Sequence, residues 1–181
     1  LRSLVGSEMC IRDSWYDVDG ATLSVMSDAR PVGLPHGILI SRECNLLYGY
    51  NYLTIQLPSG RKLYYPQPYI NENQFGKPAL HYRVQAGIKW SHTSTYGGKL
   101  VENITQAIAR DCLALAINRL VKAGYKPLMH IHDEVVLEVP KDKIHEDEID
   151  RINQIMCAPI PWAPGLLLNA DGFISPYYTK D

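Results

Sequence analysis

The chain is poor in cysteine, and what it has is unpaired in sequence. Cys10, Cys44, Cys112 and Cys157 are scattered along 181 residues without a Cys-x-x-Cys unit. That spacing argues against a disulfide framework and a cysteine-built zinc site, and for reduced thiols in a cytosol-like compartment. Long hydrophobic runs are missing: no apolar stretch approaches the roughly 20 residues that span a bilayer, which gives no membrane partner. A secretory signal is missing as well, because Glu8, Arg12 and Asp13 interrupt the apolar residues near the start. An excess of one charge sign is also lacking. The 18 Lys and Arg against 19 Asp and Glu leave a net charge of −1, so any contact with nucleic acid must come from local placement of charge. What is present, 46% hydrophobic and 20% charged residues, is the composition of an ordinary globular domain with length enough for one core.

Ser3 to Ser14 resembles the translation of a sequencing-library adapter, Met9 to Ser14 corresponding to a transposase end tag. Residues 1–14 are therefore expected to be non-native and are set apart from fold reasoning, leaving 15–181 as the folded part, with the natural frame expected to continue upstream of Trp15.

Trp15, Val18, Ala21, Thr22 and Val25 recur at helical spacing and predict a helix to about Asp28. Pro31, Gly33, Pro35 and Gly37 punctuate a loop. Ile38–Ile40 and Leu46–Leu57 are rich in branched and aromatic residues and read as strands. Pro58-Ser59-Gly60 then marks a hairpin turn between Tyr52–Leu57 and Arg61–Tyr65. Residues 67–92 mix Pro, Gly, Asn and aromatics and read as a loop with room for a short hairpin. The clearest element is a helix over about Lys99–Ala123. Val101, Ile104, Ile108, Cys112, Leu115 and Leu120 form its apolar stripe, and Gly124 is its stop. Its polar side carries Glu102, Gln106, Arg110, Asn118 and Lys122, of which Asn118 and Lys122 read as solvated. A further helix is expected over Glu146–Met156. Ile149, Ile152, Ile155 and Met156 lie on its buried side, and the acidic run of Asp142, Glu146, Asp147, Glu148 and Asp150 reads as a solvated face. Pro159, Pro161 and Pro164 end it, and Leu166–Gly172 reads as a final strand.

The chemistry concentrates in Leu128–Val139, where two apolar strand-like runs flank His132-Asp133-Glu134 and Pro140 closes the second. Ionisable neighbours of this kind repel one another and cost desolvation unless a cation or partner offsets them. A hard divalent cation such as Mg²⁺, held by carboxylate and phosphate oxygens, is one compensation. A solvated acidic turn is the other reading, and these residues alone leave both open.

Three motifs stand in a fixed order: Leu57–Pro66 around Gly60-Arg61-Lys62-Leu63-Tyr64, the run Tyr96–Asp111, and His132-Asp133-Glu134. Together they resemble the family A (polymerase-I-like) DNA polymerases, phage-type members above all, over Trp15 to the end. The resemblance implies an α+β fold: an antiparallel palm sheet, including the carboxylate hairpin, packed against the long helix, and truncated to the C-terminal part of the palm. It implies template-directed nucleotidyl transfer to a primer 3′-hydroxyl with two Mg²⁺ ions, in a bacterial or phage-infected cytoplasm. Primer-template DNA and deoxynucleoside triphosphates would be the partners of the complete enzyme. By the same resemblance Asp133 is a metal-binding aspartate and Glu134 supports it. His132 approaches the primer end, and Gln106 contacts the minor groove, whose acceptors are common to all base pairs. Lys99 and Asn103 are further groove or backbone candidates, Lys99 being equally readable as a solvated residue at the helix start. Arg61 and Lys62 read as phosphate contacts or solvated residues.

The family's second metal-binding aspartate, its fingers helix and its thumb have no counterpart in the sequence, so the isolated chain is expected to be inactive. Two rivals stand beside this reading. One is a non-catalytic DNA-binding module. The other is a metal-dependent hydrolase using His130, His132 and Asp133, with His145 a weaker fourth, since strand alternation would set His130 and His132 on one face.

Overall fold

The computed structural model describes residues 8–45, 47, 49–141 and 147–178, with side chains from residue 13 onward. The chain divides into two compact units, Leu1–Ile108 and Ala109–Asp181.

In the first unit, α1 (Glu8–Asp28) is followed by β1 (Val32–Leu34), β2 (Ile38–Asn45), β3 (Tyr50–Gln56) and β4 (Lys62–Pro66), which pair antiparallel in chain order. The helical stripe read from the sequence is the buried one: Val18, Ala21, Thr22 and Val25 are covered, while Trp15 is half exposed. Val18, Ala21 and Val25 meet Ile40, Leu53, Ile55 and Tyr65 of the sheet, Leu57 just after β3, and Leu100 and Ile104 of the long helix. Each full burial of such an aliphatic side chain contributes about 1.5–3 kcal/mol. The hairpin turn forms where expected, with Leu57 N–H donating to the Arg61 carbonyl at 2.8 Å and Gly60 at φ 87. A positive φ of this kind suits glycine. The region 31–37 expected as a loop contributes the short β1, which pairs with β2 from Val32↔Ile40 to Leu34↔Ile38.

The larger difference lies at 67–92. There a second antiparallel sheet forms from β5 (Tyr69–Glu72), β6 (Pro78–Ala86) and β7 (Lys89–Thr95). The Pro, Gly and Asn residues that suggested a loop are confined to its turns. Asn73 Oδ1 accepts from the N–H groups of Phe75 and Lys77, and Gly76 and Gly87 take positive φ. Leu80 and Tyr82 alternate inward from β6.

The long helix α2 runs Gly97–Lys122. It closes on Gly124, whose N–H donates to Val121 while Tyr125 N–H reaches Leu120, the paired bonds of a glycine-capped helix end. In the second unit Cys112, Leu113, Ala116 and Leu120 of α2 and Ile160 are buried. Arg119 donates to the carbonyls of Ala158 and Pro159, both at 2.6 Å. β8 (Lys126–Ile131) and β9 (Glu134–Glu138) form a two-stranded sheet, and α3 covers Glu148–Met156. Ile149, Ile152, Ile155 and Met156 are the half-covered side of α3, as expected. Among the described residues β8 and β9 pair only with each other, so the hairpin is a sheet of its own. Among the described residues Leu166–Gly172 forms no strand; its Leu167 is 93% exposed. Propensity alone does not make a strand when no neighbour supplies the ladder.

Candidate functional site

The hairpin in the second unit is closed by the pair Ile131↔Glu134, which leaves His132 and Asp133 as a two-residue turn. His132 sits at φ 52, a left-handed conformation that costs a non-glycine residue roughly 1 kcal/mol. His132, Asp133 and Glu134 are all exposed, so the carboxylates stand at the tip as the sequence suggested. Because β8 ends at Ile131, strand alternation does not extend to His132, and the proposed His130–His132 pair on one strand face is not formed. His130 instead lies 3.3 Å from Arg110 Nη2 of α2. A bulge between Pro127 and Met129 leaves Leu128 outside the register and 61% exposed.

In the first unit α2 presents Lys99, Glu102, Asn103 and Gln106 at helical three- and four-residue spacing. Lys99 Nζ donates to both oxygens of Glu102 at 2.9 Å, and Gln106 Nε2 donates to Glu102 Oε1 at 3.2 Å. The hydrogen bond to Glu102 holds the Lys99 ammonium above its ordinary pKa. Asn103 Nδ2 donates to the Tyr65 hydroxyl at 3.2 Å, and burial raises the phenol's pKa against that bond. Glu102 is thus the organiser of the stripe. Sequence reading placed it on a polar face without a role, although its spacing from Lys99 and Gln106 was the available signal. Gln106 and Glu102 line a shallow groove of about 440 Å³ with Trp15, Tyr96, Gly98, Val101 and Thr105.

Arg61 and Lys62 are both engaged. Arg61 Nη2 donates to the Ala107 carbonyl at 2.8 Å, and Lys62 Nζ meets Glu43 Oε1 at 2.6 Å. Glu43 Oε1 also accepts from the buried Thr54 hydroxyl at 3.3 Å. Among the described residues no three His, Cys, Asp or Glu side chains are placed to hold one metal ion. His145, the weaker ligand of the hydrolase reading, lies outside the described residues. Asp133 and Glu134 offer hard oxygen donors, the donor type Mg²⁺ takes, and Mg²⁺ is commonly held by one or two carboxylates with substrate phosphates completing its shell. The donor chemistry therefore fits that ion, provided other ligands come from elsewhere. No helix among the described residues is long and apolar enough to cross a membrane.

Compared with known proteins, the chain is 49% identical over 170 residues to a DNA polymerase of Bacillus phage SP02, an alignment covering 92% of this chain and 25% of that protein. The chain spans about a quarter of the length of this curated relative. No family model matches the chain, and no solved structure matches it.

Proposed function

We propose that this chain is the C-terminal part of the palm of a family A DNA polymerase, contributing one carboxylate arm of its metal site. The observation that carries the reading is the two-residue turn that sets Asp133 at the tip of an antiparallel hairpin with Glu134 beside it, in a chain similar to part of a phage DNA polymerase. Asp133 would hold Mg²⁺, with Glu134 beside it in support. When bound, the ion lowers the pKa of the attacking primer hydroxyl and offsets charge on the leaving pyrophosphate. The chain's own contribution is positional. His132, exposed at the turn, would approach the primer end, and Gln106, steadied by Glu102, would present its amide to groove acceptors common to all base pairs. Lys99 and Asn103 flank it on the same helix face. A site that needs a second aspartate cannot be completed by Asp133 alone, so the isolated chain is inactive in this reading.

The test has two arms. Purified chain with primer-template, deoxynucleoside triphosphates and Mg²⁺ should extend no primer, and product there would overturn the inactivity. A chimera in which this chain replaces the matching segment of the phage SP02 polymerase should extend the primer. Asp133→Ala in that chimera should lose more than the roughly 10–100-fold typical of disturbing a metal ligand's surroundings, with Glu134→Ala milder. An active Asp133→Ala chimera would end the metal-arm reading.

A further inference from the structure

The outward face of the three-stranded sheet takes no part in the roles assigned above. Register sets Tyr69 opposite His81, Arg83 opposite His92 and Gln85 opposite Trp90, so these side chains share one face by strand alternation. The opposite face sends Leu80, Tyr82 and Thr95 inward. On the outward face the Tyr69 ring stacks on His81, centroids 5.2 Å apart at 27°, and lies 5.6 Å from His92. The Arg83 guanidinium lies 5.5 Å from the Trp90 ring centre and donates from Nη1 to Gln67 Oε1 at 3.1 Å. Tyr69 is 38% and Trp90 54% exposed. No carboxylate occupies a strand position on this face: its other positions are the exposed Asn71 and Ser94 and the buried Ala79, and Glu72 alternates to the other side. His81 Nε2 and Arg83 Nε are covered and have no hydrogen-bond partner among the described residues.

We propose that this face binds single-stranded nucleic acid, Tyr69 and Trp90 stacking on bases and Arg83 contacting a phosphate. Exposed aromatic planes need unstacked bases, which a duplex does not offer. A cation without a neighbouring carboxylate complements the phosphate backbone and gives no reason to prefer an uncharged protein surface. Arg83 is already engaged by the Trp90 ring and by Gln67, so part of its side-chain freedom is given up before contact.

No residue of the hairpin takes part, and an Asn118→Ala chain, changed at an exposed position that has no assigned role, serves as a control expected to bind like wild type. The experiment is fluorescence anisotropy of the full chain with a labelled oligothymidylate at low and moderate salt, set against a duplex of equal length. Saturable binding that favours the single strand is expected. Trp90→Ala and Tyr69→Ala should each weaken it about tenfold, as loss of one base-stacking partner does. Arg83→Gln should lower the salt slope of log K by about 0.7, the share of one phosphate on a single strand. Circular dichroism checks that each variant is folded, and Trp90, being more than half exposed, is the variant least able to disturb the core. The proposal is overturned by absent binding at low salt, by equal affinity for the duplex, by folded Trp90→Ala and Arg83→Gln chains that bind as wild type, or by polyglutamate competing as well as the oligothymidylate.

Discussion

Gly97 is the position where one added carbon meets the most resistance. A Cβ built there would lie 2.0 Å from the Trp15 carbonyl oxygen, 2.9 Å from the carbonyl carbon and 3.0 Å from Asp19 Cβ. A carbon and an oxygen need roughly 3.2–3.6 Å between them, so the start of α2 and the backbone of α1 must separate by more than about 1 Å. Both partners are helix backbone, and no side chain can turn aside. The helix that would move seats Val18, Thr22 and Val25 at 5%, 1% and 0% exposure, so displacement opens the core behind it. Overpacking costs typically 1–3 kcal/mol, and the rigidity here places Gly97→Ala at about 3 kcal/mol. The gain from replacing glycine in a helix is at most about 1 kcal/mol, which leaves about 2 kcal/mol of destabilisation. For a unit of this size that lowers the melting temperature by about 8–16 °C. Gly20→Ala is the matched contrast: it lies within α1 and nothing stands within 4 Å of its Cβ, so it should gain about 0.5–1 kcal/mol. Thermal unfolding followed by circular dichroism reads both. A Gly97→Ala chain melting at or above wild type would refute the close-approach argument.

Two further perturbations have signs set by the structure. Asp19 accepts a bond from the Gly97 N–H, but burial outweighs it and lifts its carboxyl above the ordinary 3.8. The folded form then binds more protons than the unfolded chain between 3.8 and the raised value, so stability falls as pH climbs through that window. Asp19→Asn should keep an acceptor for Gly97, flatten that slope in urea titrations across the window, and be at least as stable as wild type at neutral pH. A loss of stability there would show that the charge is favoured in the fold. His132→Gly relieves the left-handed turn and should stabilise the hairpin by about 1 kcal/mol, while removing the side chain proposed to meet the primer. Urea unfolding and primer extension by the SP02 chimera should therefore move in opposite directions, and a destabilised glycine variant would count against strain at φ 52.

Much of the fold was legible because burial imposes a period. Val18, Thr22 and Val25 are both the helical stripe in the sequence and the buried face in the structure. Gly60 and Gly124 mark chain reversals because their positive φ values are cheap only for glycine. The sheet of β5–β7 was obscured by its punctuation, although Leu80-His81-Tyr82-Arg83-Val84-Gln85 alternates apolar and polar residues, with Leu80 buried and Gln85 exposed. Leu166–Gly172 shows the reverse, a strand-like composition without a ladder partner. At the candidate site, the position of Asp133 at a hairpin tip was readable from two apolar runs around a polar centre. Glu102 as the shared acceptor of Lys99 and Gln106 was only half legible: its three- and four-residue spacing permitted the contacts, but a solvated glutamate has the same spacing on a helix. Neither the turn conformation of His132 nor the engagement of Lys62 by Glu43 leaves a trace in composition.

The unpaired Leu128 gives β8 a counting property. On a regular strand Pro127 and Met129 would face the same way, yet they pair with the adjacent Leu137 and Val136, which face opposite ways. One supernumerary residue thus reverses the parity of everything between the bulge and the turn. The side on which His130 meets Arg110 is set by whether the number of residues since the helix end is odd or even. Chain length in this stretch therefore acts as information in its own right: substitutions there edit the surface, whereas a single insertion or deletion would exchange the hairpin's two faces.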